Sequence, residues 1–251
     1  MWTANSRRHA KPRRVCTKRD KNRMTDALQP RMREAWEEVE TLLSRLKVLN
    51  AARTVLPAWY EDLLRNLVGE VGFNFVRMMQ AHKERHLAVL AYSARNLLEL
   101  YVWAKYCVKS EGNARRFRED MFRDFKGIYE AAINLSTVFS KRPDTSNSPA
   151  TLRRLDALIR QKASAFGMSA VDSNYTRALT AAGELGLKSL FVNTNTLLSK
   201  VAHPTALIVL TFPEGKALDG ICDGVAKMGL YFVGSSIVCI SQFIRGLGVT
   251  G

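Results

Sequence analysis

Residues 86–108 read HLAVLAYSARNLLELYVWAKYCV, and this stretch decides the fold that the sequence predicts. Apolar side chains fall on nearly every side of a helix drawn through it, instead of on one stripe. A helix that is apolar all round is covered by neighbours on several sides. The sequence therefore predicts a central helix over about residues 86–108, inside an all-α protein.

Helical periodicity extends from this central helix in both directions. Apolar residues recur at spacings of three and four, which bury one face of a helix. The remaining predicted helices cover about residues 31–49, 57–79, 114–139, 149–165, 172 or 173 to 203, and 215–245. We find no alternating series that would predict a sheet. The expected fold is a single helical bundle of about six to seven helices.

Local signals place the ends of several helices. Asn113, after Gly112, is expected to cap the helix that follows the central one, and Gly167 is expected to end a helix. Residues 141–149, KRPDTSNSP, predict a loop, and Pro149 suits a first helical turn. The run LIVLTF at residues 207–212 is rich in β-branched residues. Since a lone strand would have no partner, we expect a connector or a helix there.

Basic residues are concentrated at the N-terminus of a chain whose net charge is +15. This segment has almost no apolar periodicity, so residues 1–25 are predicted to form a disordered arm before one helical domain at 26–251. Such an arm attracts phosphate backbones without sequence specificity, and the alternative is a solvated tail. The candidate nucleic-acid contacts in the arm are Arg7, Arg8, Lys11, Arg13, Arg14, Lys18 and Arg19.

The cysteines and the apolar segments indicate a cytoplasmic protein. The four cysteines are scattered and form no C-x-x-C pair, which fits a reducing compartment. The N-terminus lacks the apolar region of a secretory signal. The longest uncharged run, residues 228–244, is shorter than the roughly 20 apolar residues that a membrane span needs. We therefore expect no membrane span, and a buried terminal helix in its place.

The central helix carries an Arg–Glu pair among apolar residues. Arg95 and Glu99 are four residues apart, so their side chains meet on one face of a helix. A charge among leucines is costly to bury unless it is paired. Two interpretations stay open at this point: a buried structural pair, or a pocket wall in which Arg95 positions an anionic group and Glu99 orients it.

His203 is the second candidate, in the stretch LLSKVAHPT at residues 197–205. Because a proline disfavours α geometry at the residue before it, the helix is expected to end at His203. Uncharged imidazole serves as a general base near neutral pH. Ser199 and Lys200 precede it by one turn or less and complete the candidate site. The alternative is that His203 only clamps the helix end.

His82 and His86 have the i, i+4 spacing of a metal-binding pair. The neighbouring Lys83 and Arg85 would repel a cation, so we predict a solvated charged face and no metal site. Phosphate loops and dinucleotide-binding glycine patterns are also missing from the sequence, which predicts no cofactor.

Two motifs together carry a resemblance to a family. RNLLEL at residues 95–100, followed about a hundred residues later by LSKVAHP at 198–204, resembles a group of uncharacterised prokaryotic all-helical domains, similar to HEPN-type domains. The resemblance covers about residues 87–210. In HEPN-type domains an Arg-polar-x3-His motif on a C-terminal helix cleaves RNA without a metal. Here Leu198 stands at the position of that arginine, and Ser199 stands at the polar position.

The resemblance implies a metal-independent ribonuclease. His203 would be the acid or base, Arg95 or Lys200 would stabilise the phosphate, and Glu99 would orient Arg95. The spacing Arg-x4-His is also met by Arg77 and His82, but a methionine follows that arginine. The alternative is a non-catalytic module that binds nucleic acid or protein, in which these residues are structural. The expected partner is RNA or another polyanion, and a homo-oligomer stays open.

Overall fold

The computed structural model describes residues 18–51, 56–139, 149–168, 171, 176–203, 205 and 213–247. This part of the chain is helical throughout, with turns between the helices and no strand, so the predicted all-α bundle is confirmed. Eight helices are described: α1 (Lys18–Ala51), α2 (Ala58–Lys83), α3 (Leu87–Lys109), α4 (Glu111–Phe139), α5 (Pro149–Ala165), α6 (Ala178–Glu184), α7 (Lys188–Ala202) and α8 (Gly215–Gly246).

The predicted central helix is α3, and its bounds differ from the prediction by one residue at each end. It packs against α2, α4, α6, α7 and α8. Leu90, Leu97 and Leu98 are completely buried, as are several small residues between them. The prediction from the all-round apolar pattern is therefore confirmed, because helices cover α3 on several sides.

The terminal helix α8 lies in the same core and packs against α1, α2 and α3. Gly229 meets α2 at a close approach, where any larger side chain would collide with Met78. By length and composition alone, α8 is the one helix in the described ranges that would suffice to cross a membrane. Half of its most apolar window is buried inside the protein.

Polar side chains also join α2 to α3. The Tyr60 hydroxyl donates a 2.5 Å hydrogen bond to the carbonyl of Cys107. Further along, the Asn96 amide donates to Asn74, which is itself buried and donates to the carbonyl of Glu70. A buried hydrogen bond costs stability when one partner is removed, so these contacts fix the register of the two helices.

The chain between α3 and α4 turns earlier than predicted. We expected Gly112 to end the central helix and Asn113 to cap the next one, but both lie inside α4. Ser110 has extended backbone angles, and its hydroxyl accepts a 3.1 Å hydrogen bond from the Asn113 amide. A serine in this position is a favourable helix cap, and it outweighs the weak break that a glycine makes.

The helix expected from residue 172 or 173 to His203 is two helices, so the described residues contain eight helices where the sequence predicts about seven. Gly186 adopts a left-handed φ of 70° between α6 and α7. The amides of Gly186 and Leu187 donate to the carbonyls of Gly183 and Ala182, the paired bonds of a Schellman motif. The same motif follows α5, where Gly167 has φ of 74° and ends the helix as predicted.

Several other expectations concern the chain ends and the loops. α1 begins at Lys18 and so includes the last residues of the segment expected to be a disordered arm. Pro149 is the first residue of α5, as the sequence indicates. The predicted loop before it and the run at 207–212 lie outside the described residues, as do residues 1–17.

We predict opposite stability effects for alanine at two neighbouring glycines. Gly186→Ala should lower the free energy of unfolding by about 1–2 kcal/mol, because an alanine is strained in the left-handed region. Gly183→Ala should raise it by up to about 1 kcal/mol, because Gly183 lies within α6 and alanine favours helix. An added Cβ meets nothing within 4 Å at either position. Urea unfolding measures both, and changes of the same sign would contradict the Schellman assignment.

Candidate functional site

The predicted site residues lie along the exposed side of the contact between α3 and α7. Arg95 Nη2 is 3.4 Å from Glu99 Oε1, so the expected pairing of these side chains is confirmed. Arg95 Nε also donates a 2.8 Å hydrogen bond to Asn195 Oδ1 on α7. The side chains of Arg95 and Glu99 are 29% and 35% exposed, so the pair is not the buried one that the first interpretation assumed.

α7 runs antiparallel to α3. Lys109 Nζ, at the end of α3, donates a 3.0 Å hydrogen bond to the carbonyl of Glu184, just before α7 begins. Arg95 and Asn195 meet near the middle of both helices. The end of α7 therefore lies beside the start of α3. His203 is separated from Asn195 by about 12 Å along the helix axis, at about 1.5 Å per residue.

His203 ends α7, as the proline after it predicts. Its backbone is extended, with φ of −101° and ψ of 153°, and its amide donates to the carbonyl of Ser199. The imidazole is exposed, and within the described part of the chain nothing joins it to Arg95, Glu99 or Lys200. The structure thus brings Arg95 and Glu99 together and leaves His203 two turns of α7 away.

Ser199 and Lys200 lie between these two points. Ser199 is half-buried, one turn beyond Asn195, while Lys200 is exposed. The carbonyl of Lys200 accepts a 3.1 Å hydrogen bond from the Thr205 hydroxyl, which holds the chain after the helix end. Asn195, Ser199 and His203 are spaced by four residues and follow one side of α7.

A cation between two aromatic rings lies where α2 meets α3, one turn before Arg95, and was not predicted from the sequence. The Arg77 guanidinium is 5.5 Å from the ring centroid of Phe73 on α2 and 5.9 Å from that of Tyr92 on α3. The two rings are 58% and 42% exposed. The i, i+4 spacing of Phe73 and Arg77 on one helix would have predicted the contact between these two side chains. Nothing local indicated Tyr92, since its position depends on how α2 and α3 pack.

We call this surface the α2–α3–α7 face. Its members are exposed or half-exposed and combine cations, aromatic rings and amides. They are Phe73, Arg77, Tyr92, Arg95, Glu99, Asn195, Ser199, Lys200 and His203.

His82 and His86 do not form a pair, because the helix ends between them. His82 is completely buried, and its Nε2 is 2.7 Å from Asp223 Oδ1 on α8. His86 is exposed and accepts from the amide of Val89 at the start of α3. The prediction of a solvated charged face is therefore wrong for His82, which is tied to α8 by a buried carboxylate.

Arg85 completes this buried cluster from the turn between α2 and α3. Its φ is 57°, the position of a third Schellman motif, where glycine is usual. Its side chain contacts Asp219 at 3.2 Å and Asp223 at 3.1 Å. These ion pairs offset the backbone strain of a non-glycine residue in the left-handed region.

The described cysteines are poor nucleophiles. Cys107 and Cys222 are buried and Cys239 is half-buried. Burial raises the pKa of Cys239 to about 11 and also raises the pKa of Cys107 and of Cys222. Since the thiolate is the reactive form, these thiols are protonated and unreactive at neutral pH.

The basic residues proposed as nucleic-acid contacts are divided by the start of α1. Lys18 and Arg19 lie in its first turn. Arg7, Arg8, Lys11, Arg13 and Arg14 lie outside the described residues, so their role stays a prediction.

Comparison of the chain with protein-family models, with curated proteins and with solved structures found no match. The resemblance to HEPN-type domains therefore stays a prediction.

We predict that Asp223→Asn destabilises the fold by about 1–3 kcal/mol, because His82 and Arg85 would lose their buried charged partner. Asp156→Asn is the control, since Asp156 pairs with Arg160 on an exposed surface where such pairs contribute about 0–1 kcal/mol. Urea unfolding compares the two variants. Equal effects would contradict a stabilising role for the buried cluster.

Proposed function

We propose that this protein binds single-stranded RNA through the α2–α3–α7 face. The observation that carries the proposal is the Arg77 guanidinium between the exposed rings of Phe73 and Tyr92. Proteins that bind single strands combine cations along the backbone path with aromatic rings on which bases stack. Bases splayed from a strand reach such rings, whereas paired bases inside a duplex do not.

The charges of the face support the same ligand. Arg77, Arg95 and Lys200 supply cations, while Glu99 holds Arg95 in place through their ion pair. The Asn195 amide beside Arg95 adds hydrogen-bonding groups for sugar or base edges. The net charge of +15 adds long-range attraction for any polyanion, and the predicted arm would extend this attraction beyond the helices. A cytoplasmic location belongs to the same proposal.

We predict that Tyr92→Ala weakens binding of a single-stranded RNA about 5- to 150-fold, because one base–aromatic stack contributes about 1–3 kcal/mol. Arg77→Ala should weaken binding and reduce the salt dependence of the affinity by about one charge. Fluorescence anisotropy at several salt concentrations measures both. Arg153→Ala removes an exposed arginine from α5 and is the matched control.

Both tested side chains are exposed, so neither substitution should change the free energy of unfolding by more than about 0.5 kcal/mol. If Tyr92→Ala and Arg77→Ala bind RNA as tightly as Arg153→Ala, the face is not the RNA surface. If the RNA affinity of the variants follows only their total charge, the basic arm alone would be the RNA-binding segment.

A ribonuclease with a HEPN-like mechanism is the second candidate, and the alignment of Asn195, Ser199 and His203 along α7 favours it. An RNA strand on the face would pass Arg95 and reach His203 at the helix end. There the imidazole would act as general base or acid, and Lys200 or Arg95 would stabilise the phosphate.

For this candidate we predict that His203→Ala abolishes metal-independent RNA cleavage and leaves the thermal midpoint nearly unchanged. The reason is that the imidazole is exposed and would act only on the reacting atoms. A gel assay with EDTA measures cleavage, and His86→Ala removes another exposed histidine as the control. Equal cleavage by both variants would leave RNA binding as the function.

A further inference from the structure

A second surface feature, lined by the start of α2, is a groove of about 620 Å³ between α2, α3 and α4. We call it the α4 groove. Its walls combine aromatic rings, other apolar side chains and aspartates. The lining residues used below are Trp59, Asp62, Trp103, Phe117, Arg118, Asp120, Met121, Asp124 and Phe125.

Carboxylates outnumber cations among the residues that line the α4 groove, while Arg65 and Arg123, outside the lining, pair with Asp62 and Asp120. Asp62, Asp120 and Asp124 line it, against a single cation, Arg118. The whole chain carries +15. A concentration of carboxylates in a low-dielectric cleft attracts cations and repels the polyanions that suit the rest of the surface.

Asp120 is buried in the wall of the groove, and only one of its two carboxylate oxygens accepts hydrogen bonds from the described residues. Its Oδ1 accepts from Arg123 and, at 3.5 Å, from the amide of Thr176. Its Oδ2 is buried and receives no hydrogen bond from the residues that the structure describes. The residue is only 4% exposed. A buried carboxylate oxygen without a donor is costly, so a ligand that brings a donor would be stabilised there.

Burial raises the pKa of Asp120 above its usual range, against the lowering effect of Arg123 and the Thr176 amide. The cost of desolvating this carboxylate is therefore larger than the stabilisation that Arg123 and the Thr176 amide give to its charged form. A bound cation would favour the ionised form and lower the pKa again.

One aromatic residue of the groove wall, Trp59, already accepts a guanidinium. Arg118, which also lines the groove, places its guanidinium 5.1 Å from the Trp59 ring centroid, and 4.0 Å from that of Phe166 outside the groove. Trp103 and Phe117 pack together at 4.6 Å on the groove wall. Electron-rich ring faces attract cations, and the attraction grows when water is excluded.

We infer that the α4 groove binds a small organic cation, a guanidinium or ammonium group attached to a short apolar chain. The cationic head would donate hydrogen bonds to Asp120 Oδ2, with Asp124 nearby, and the chain would lie against Met121 and Phe125. These last two side chains are 41% and 47% exposed, and a ligand would cover them. The inference does not depend on the proposed binding of RNA.

Two probes of the same shape isolate the charge: n-butylguanidinium, which is cationic, and n-butylurea, which is neutral. Isothermal titration of the full chain at fixed ionic strength should show saturable binding of n-butylguanidinium. The urea should bind at least about tenfold more weakly, because a hydrogen bond to a charged group contributes about 1.5–3 kcal/mol.

Asp120→Asn should reduce affinity for n-butylguanidinium by about tenfold or more, for the same reason. Glu130→Gln makes the same change of charge at an exposed position of α4 outside the groove and should leave the affinity unchanged. Phe125→Ala is the second variant, should Asp120→Asn fail to fold. It alters an exposed side chain, so it should fold and should weaken binding of both probes.

The inference is overturned if the wild-type protein shows no saturable binding of n-butylguanidinium. Equal affinity for the guanidinium and the urea would also overturn it, as would affinity that survives both Asp120→Asn and Phe125→Ala.

Discussion

The burial of α3 is the constraint on which the rest of the structure depends. A helix that is apolar on every side gains stability only when other helices exclude water from all of it. Five helices do so here. The same burial makes polar groups on α3 costly unless they find a partner where α3 meets a neighbour. Asn96 finds Asn74 on α2, and Arg95 finds Asn195 on α7.

The turn between α2 and α3 carries a cluster of buried and half-buried charges. Arg85 occupies a backbone position that favours glycine, and it is held there by two aspartates of α8. His82 binds one of the same aspartates from the preceding turn. The cluster thus links the angle between α2 and α3 to the position of α8. That angle sets whether Arg77 of α2 lies over Tyr92 of α3, so the buried cluster positions the exposed face.

The proposed RNA surface and the α4 groove use opposite ends of α2. Arg77 lies near the end of this helix and Asp62 near its start, about 22 Å apart at about 1.5 Å per residue. This distance is greater than a Debye length at physiological salt, about 8 Å, so Arg77 and Asp62 are screened from each other. A basic chain can therefore carry an acidic groove without losing its attraction for polyanions. Net charge alone gives no sign of this separation.

The helices and most of their ends follow from the sequence, whereas the sites follow from packing. The bounds of α3, the stop at Gly167, the start at Pro149 and the stop at His203 were predictable, because periodicity and backbone restrictions act over a few residues. The break at Gly186 and the cap at Ser110 were missed because glycine and serine signals compete locally with a long apolar pattern.

The pairing of Arg95 with Glu99 could also be predicted, because the two residues are four apart on one helix. In contrast, Arg95 meets Asn195 a hundred residues away, His82 meets Asp223 across 141 residues, and Asp120 lies in a groove shared by three helices. These contacts depend on which helices pack together and in what register. The packing partners and their register depend on the burial summed over the whole core, so they cannot be predicted from any single segment of the sequence.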